Sequence, residues 1–166
     1  TSPVAEGRFA YTNGSDSMSM YGESLFICNQ SIGDEGGPSP VGVVYHYEKD
    51  AGLDSWTLVE TIECPGEETS EGWGRGVEYD SDNQYLFVRN KHSSPGYSVY
   101  AVTVLKSPGG GTWKYASTIF SPDGVQDPYE GFGHIIRRSG TRVVVGSIQS
   151  TLGRCLLYTS PSPRDR

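Results

Sequence analysis

The sequence predicts an all-β protein assembled from repeated four-stranded antiparallel sheets, and three observations carry that prediction. Among 166 residues Gly numbers 22, Tyr 11 and Pro 10, whereas Ala numbers 5 and Leu 8, so the best helix formers are scarce. Tyr, Val, Thr and Trp recur in short runs separated by turn residues, the pattern of strands joined by tight connections. The chain also repeats itself at a fixed interval, the signature of an architecture built from one stacked unit.

The repeat rests on landmarks that keep one period. Segments 42–62 and 97–120 each run from an aromatic strand through a Gly-containing turn to Trp, then through an apolar–polar alternation to Thr-Ile. Trp56 returns as Trp113, and at the same offset Thr61-Ile62 returns as Thr118-Ile119. Gly72-Trp73-Gly74 returns as Gly131-Phe132-Gly133, and Leu86-Phe87-Val88 as Val143-Val144-Val145, at nearly that offset again. Leu25-Phe26-Ile27 precedes Leu86-Phe87-Val88 by a similar interval and marks a weaker first copy. The period is therefore about 57–61 residues, room for one four-stranded unit.

The complete copy predicts strands over 73–80, 85–90, 97–105 and 112–120. The first connection is Asp80-Ser81-Asp82-Asn83, whose Asp and Asn side chains close turns on their own backbone. The second is Ser93-Ser94-Pro95-Gly96 and the third Pro108-Gly109-Gly110-Gly111. In the third strand Val99, Ala101 and Thr103 alternate with Tyr100, Val102 and Val104, so both faces are largely apolar. A strand apolar on both faces belongs in a sheet covered on both sides. One such sheet per repeat cannot bury its faces alone, which is the logic of a propeller blade.

These residues resemble the FG-GAP repeats of integrin-alpha-like β-propellers. The FG element is matched by Gly131-Phe132-Gly133 and, with Trp for Phe, by Gly72-Trp73-Gly74. The GAP element is matched by Val145-Gly146-Ser147 without its Pro, and in the earlier repeat has become Val88-Arg89-Asn90. The aromatic third strands and the Trp opening the fourth complete the likeness, with Tyr45-His46-Tyr47 before Trp56 and Tyr100 before Trp113. The resemblance implies a partial propeller of about two and a half blades, over residues 11–63, 73–120 and 131–154, the last incomplete. It implies that Trp73 and Phe132 fill the gaps between blades while Gly74 and Gly133 let backbones approach. Trp56 and Trp113 are expected to pack blade on blade.

The function it implies is a non-enzymatic binding or adhesion scaffold at the cell surface or outside the cell, meeting a protein or glycan ligand. The alternative is a fragment of a propeller glycosidase or lyase whose active residues lie in other blades. No cofactor is expected, although some members of the family hold calcium between their first two strands. The corresponding loop here carries Asp80 and Asp82 but lacks the Gly and the later carboxylate, so it reads first as a β-turn. Asp123 and Asp127, in the loop before the third blade, read first as solvated carboxylates.

The net charge of −7 argues against nucleic acid as a partner, because that binding rests on clustered Lys and Arg. No apolar run approaches the ~18 residues of a membrane helix, and membrane attachment is left open. His46, His92 and His134 have no neighbours at metal-ligand spacing, and no Ser lies in a nucleophile-elbow motif. Cys28 and Cys64 lie in one repeat, and the sequence leaves open whether they pair. The stretch Cys155 to Asp165 resembles one reading frame of a transposase sequencing adapter translated into protein. Residues 155–166 are therefore set aside as non-native, and the fold is expected over 1–154.

Overall fold

A computed structural model describes residues 18–29, 42–65, 73–94, 97–120, 131–139, 142–147 and 156–161. Eleven strands run through them: β1 (Met18–Tyr21), β2 (Ser24–Asn29), β3 (Val43–Lys49), β4 (Trp56–Ile62), β5 (Gly76–Asp80), β6 (Tyr85–Ser94), β7 (Tyr97–Lys106), β8 (Lys114–Phe120), β9 (Phe132–Ser139), β10 (Arg142–Ser147) and β11 (Leu156–Pro161). A short 3₁₀ turn, Pro108–Gly110, joins β7 to β8. The protein is all-β, and the strands of each sheet pair antiparallel with their neighbours in sequence. Three sheets result, ordered β1-β2-β3-β4, β5-β6-β7-β8 and β9-β10-β11.

The strands of the second sheet follow their turn signals, with shifts at their ends. β6 runs on to Ser94 beyond the expected 90, and β8 begins at Lys114 rather than 112. β5, expected from residue 73, begins at Gly76. Trp73 and Gly74 form a turn instead, with Gly74 at φ +73°. Register repeats as well as sequence does. The β3–β4 ladder slips between His46 and Tyr47, and the β7–β8 ladder slips between Val104 and Leu105, one repeat later. Each slip is a bulge that adds twist at the same place in its sheet.

Two apolar layers hold the sheets face to face. The first joins Phe26, Cys28, Val44 and Ile62 of the first sheet's strands to Val77, Tyr79, Leu86, Val88 and Leu105 of the second, with Trp73 and Trp113 beside them. The second joins Phe87, Val102 and Val104 to Phe132, Ile136, Val143 and Val145 of the third sheet. Along β6 the alternation divides cleanly: Leu86 and Val88 enter one layer, Phe87 the other. The second sheet is thus covered on both faces, as the apolar alternation of β7 requires. Each fully buried large side chain, such as Phe26, Leu86 or Phe132, contributes about 1.5–3 kcal/mol relative to exposure.

The first strands of the three sheets stand side by side, with β5 touching both β1 and β9. The Tyr79 N–H donates to Ser19 Oγ at 3.1 Å on one side, and the Arg138 N–H donates to Glu78 Oε1 at 3.3 Å on the other. Residues 155–166, set aside on their sequence, include β11, which pairs with β10 from Arg142↔Pro161 to Ser147↔Leu156. The physical reason is the outer edge of β10, whose N–H and C=O groups can accept a further strand, and a segment of Leu, Tyr and Thr suits that pairing.

Candidate functional site

The structure places the packing residues singled out by the repeat on either side of the second sheet and at its ends. Trp73 is fully buried in the first layer and its indole N–H donates to the Ile62 carbonyl at 3.4 Å. Phe132 takes the corresponding place in the second layer. Gly133 matches Gly74 with φ +74°, and a Cβ there would meet the Val102 Cγ2 at 2.9 Å. Gly146 is buried in β10, opposite Ile135, beside a register slip at Ser147. Trp113 is 9% exposed and sits edge-on to Phe26 and Tyr79, at 5.6 and 6.0 Å between centroids.

Trp56 departs from expectation. It is 37% exposed and belongs to neither apolar layer. The reason is geometric: Trp113 packs on the sheet that precedes its own, and among the described residues no sheet precedes the first. The two Trp residues share a sequence context, and only one has a partner face.

Two of the calcium candidates, Asp80 and Asp82, hold other partners. Asp80 Oδ1 accepts the backbone N–H groups of Asp82 and Asn83 at 3.1 and 3.2 Å, and its Oδ2 accepts the Asn83 amide at 2.8 Å, closing the β5–β6 turn. Arg138 of β9 then donates through Nη1 to Asp80 Oδ1 at 2.5 Å and to Asp82 Oδ2 at 2.7 Å. The hydrogen bond to Asp80, then that to Asp82, raise the Arg138 pKa further above its ordinary value. A guanidinium therefore stands where the calcium reading would put the metal, and the loop reads as a clamp between sheets. Asp123 and Asp127 lie outside the described residues. Among the described residues no three His, Cys, Asp or Glu side chains gather in a metal-binding group. Cys28 and Cys64 are thiols, the first buried in the first apolar layer and the second packed against it.

The most ligand-like feature is a cleft of about 330 Å³ between the first and second sheets, at the end where their hairpin connections gather. His46 and Glu48 alternate along β3 onto this face, and Glu60 of β4 lies opposite His46 in the ladder. Tyr79, Gln84 and Trp113 line the other side. Gln84, held at φ +56°, donates its amide to the Tyr79 hydroxyl at 3.1 Å and to the Ser81 carbonyl at 2.9 Å. The His46 ring stacks on Phe26, 4.4 Å between centroids and 10° between planes.

Burial sets the electrostatics of the cleft. It pushes the His46 pKa down against a smaller upward pull from Glu48, which favours the neutral imidazole. His46 Nε2 is buried with no hydrogen-bond partner among the described residues. Burial also lifts the Glu60 carboxyl above its ordinary range, opposed by the hydrogen bond from the Trp113 backbone N–H. Tyr79 is raised by burial too, against hydrogen bonds from Gln84 and Ser24 that lower it. Aromatic rings and hydrogen-bonding groups stand together here, and no Lys or Arg lines the cleft among the described residues. The arrangement suits a ligand that offers hydroxyl, amide or ammonium donors.

A second polar centre joins the second and third sheets. Arg89 Nε donates to the Phe132 carbonyl at 3.1 Å, and Nη1 lies 3.3 Å from His134 Nδ1. Its guanidinium stands 4.9 Å from the Tyr100 ring centroid, and Arg75 Nη1 donates to the Tyr100 hydroxyl at 3.4 Å. Burial lowers the Arg89 pKa to about 10, with Tyr100 pulling it up and Arg75 pushing it down. Arg89 stands one repeat before Gly146, and in the middle repeat it places a cation across the interface. Sequence reasoning missed Arg89, Arg138, Glu48, Glu60 and Tyr79 as site residues. The available signal was polar side chains at positions whose strand neighbours alternate into a core.

Among the described residues no helix is long and apolar enough to cross a membrane. No family model, no curated protein and no solved structure matches the chain.

Proposed function

We propose that this chain is part of a binding scaffold, a partial FG-GAP-type propeller whose successive sheets are blades and whose hairpin end meets a protein or glycan ligand. The observation that carries the reading is the recurrence of one joint. Trp73-Gly74 and Phe132-Gly133 each place a buried aromatic beside a left-handed glycine at the seam between consecutive sheets. First strands standing side by side, each followed by an antiparallel meander, are what blades around a common axis present. The extracellular setting follows from the resemblance.

The cleft around His46, Glu60 and Trp113 is the binding position this reading favours, since a rigid pair of sheets there displays short connecting segments. Glu48 and Glu60 in one cleft favour the second reading, a carbohydrate-cleaving propeller. One experiment separates them. The full chain is screened against immobilised glycans and extracellular protein ligands, and any glycan bound is incubated with the protein and analysed for cleavage. The binding reading expects saturable binding, weakened at least tenfold by Glu60→Gln, with the glycan recovered intact. Cleavage lost in Glu60→Gln would establish the enzyme, and binding unaffected by substitutions in the cleft would remove the cleft from the account.

A further inference from the structure

The cleft between the first and second sheets carries residues that the repeat itself does not ask for. In the first sheet His46 pairs with Glu60 beside the bulge, and Val104 pairs with Ser117 at the same place one repeat later. Glu48 pairs with Thr57 where Lys106 pairs with Lys114. The second seam is packed through Val104, while the first holds His46, Glu48 and Glu60 where its neighbour has Val104, Lys106 and Ser117. Packing of the joint therefore does not account for these three side chains. Residues that break the pattern of their own repeat mark a functional position.

The bulge gathers them at one opening. Its extra residue, Val59, has no partner across the ladder, and Val59 and Glu60 both line the cleft although they are consecutive in sequence. Glu60 is half-buried and accepts the Trp113 backbone N–H. Glu48, more exposed, stands close enough to act electrostatically on both His46 and Tyr79. The nearby cations are engaged elsewhere. Lys49 pairs with Asp54, Lys106 lies 5.0 Å from the Tyr85 ring centroid, and Arg138 holds Asp80 and Asp82. His46 Nε2 has no hydrogen-bond partner among the described residues. A space of about 330 Å³ thus holds the carboxylates of Glu48 and Glu60, and no Lys or Arg lines it among the described residues.

We propose that this cleft takes the primary ammonium of a lysine side chain presented by a protein partner, an assignment that rests on the cleft being the scaffold's binding position. A compact ammonium with three rotatable donors meets Glu48 and Glu60, which stand on different strands. The planar fork of a guanidinium is matched instead to both oxygens of one carboxylate, and Glu60 already serves the Trp113 N–H. Val59, Tyr79 and Trp113 supply apolar wall for the methylene stem of the lysine. The volume lies at the lower end of ligand pockets and suits one long side chain better than a run of sugar rings.

A titration of the full chain with Nα-acetyl-lysine methylamide, followed at the Trp113 indole resonance, tests the assignment. A saturable shift is expected. Glu60→Gln, whose amide oxygen can still accept the Trp113 N–H, weakens binding roughly tenfold, and Glu48→Gln weakens it roughly threefold. The Nε-acetylated probe, which has lost the charge, gives no saturable shift, and the equivalent blocked arginine binds more weakly than the lysine. No saturable shift with the blocked lysine overturns the proposal, as does equal binding of the Nε-acetylated probe or binding untouched by Glu60→Gln. Glucosamine bound more tightly than the blocked lysine also overturns it and gives the cleft to an amino sugar. The scaffold reading fails separately: a ligand from the screen that loses affinity in Glu60→Gln keeps the cleft as the binding position even when the lysine probe does not bind.

Discussion

Gly74 and Gly133 share one left-handed backbone conformation, φ +73° and +74°, although a full repeat separates them. Each follows the aromatic that fills a seam between sheets, and each lies against the neighbouring sheet. The two positions differ in what a side chain would strike. At Gly74 a Cβ would meet the Val43 carbonyl oxygen at 2.9 Å, and at Gly133 the Val102 Cγ2 at the same distance.

That difference yields an ordered prediction. Gly74→Ala is expected to cost about 2–3 kcal/mol, because left-handed strain adds to a collision with backbone that cannot step aside. Gly133→Ala is expected to cost about 1–2 kcal/mol, since a valine side chain can give way. Urea unfolding of the two variants beside the parent protein measures both. Equal, negligible losses would mean that neither seam is as close as described.

Trp113 and Trp56 make a second matched pair. Trp113→Ala removes a buried ring that touches Phe26, Tyr79 and His46 and is expected to cost about 3–5 kcal/mol. Trp56→Ala, on a face with no described partner, is expected to cost about 1 kcal/mol or less at low protein concentration. Thermal unfolding of the two variants reads the difference directly.

The clamp between β5–β6 and β9 makes a third. Asp80→Ala removes the acceptor of three turn hydrogen bonds and one buried partner of Arg138, an expected loss of about 3 kcal/mol. Asp82→Ala loses a largely exposed partner and is expected to cost about 0–1 kcal/mol. Millimolar calcium is expected to leave the melting temperature unchanged in the parent protein, because Arg138 already spans the two carboxylates. A calcium-dependent rise in melting temperature that Asp80→Ala abolishes would favour the metal reading instead.

A fourth prediction concerns pH. His46 has its pKa lowered by burial in the folded chain, below the ordinary 6.5 of the unfolded one. Between those two values the unfolded chain binds more protons, so stability falls as pH drops from about 6.5 through the folded value. The contribution is fully present above 6.5. His46→Phe keeps the stacking on Phe26 and is expected to flatten this acid limb of a melting-temperature profile. An unchanged limb would assign the acid sensitivity to other groups.

The within-repeat architecture was legible because turn chemistry and apolar alternation are local. Asp80-Ser81-Asp82-Asn83 announced the β5–β6 turn, and the alternation of β7 announced a sheet covered on both faces. What escaped are relationships between repeats. Arg138 reaches Asp80 from the next repeat, and nothing near either residue marks the pair. The cleft is likewise shared, with His46, Glu48 and Glu60 on one sheet and Tyr79, Gln84 and Trp113 contributed by the other. Trp56 shows the converse limit: its local pattern matches that of Trp113, and burial depends on a neighbour that local pattern cannot supply.

The central claim is that consecutive repeats stack through one recurring joint. Its most direct test is a nuclear Overhauser spectrum of the full chain, read at the Trp113 indole and the Phe132 ring. The account predicts cross-peaks from Trp113 to the rings of Phe26 and Tyr79, and from Phe132 to the methyl groups of neighbours in its layer such as Val102 and Ile136. Cross-peaks from both rings confined to their own sheets, with none reaching the adjacent sheet, would contradict it.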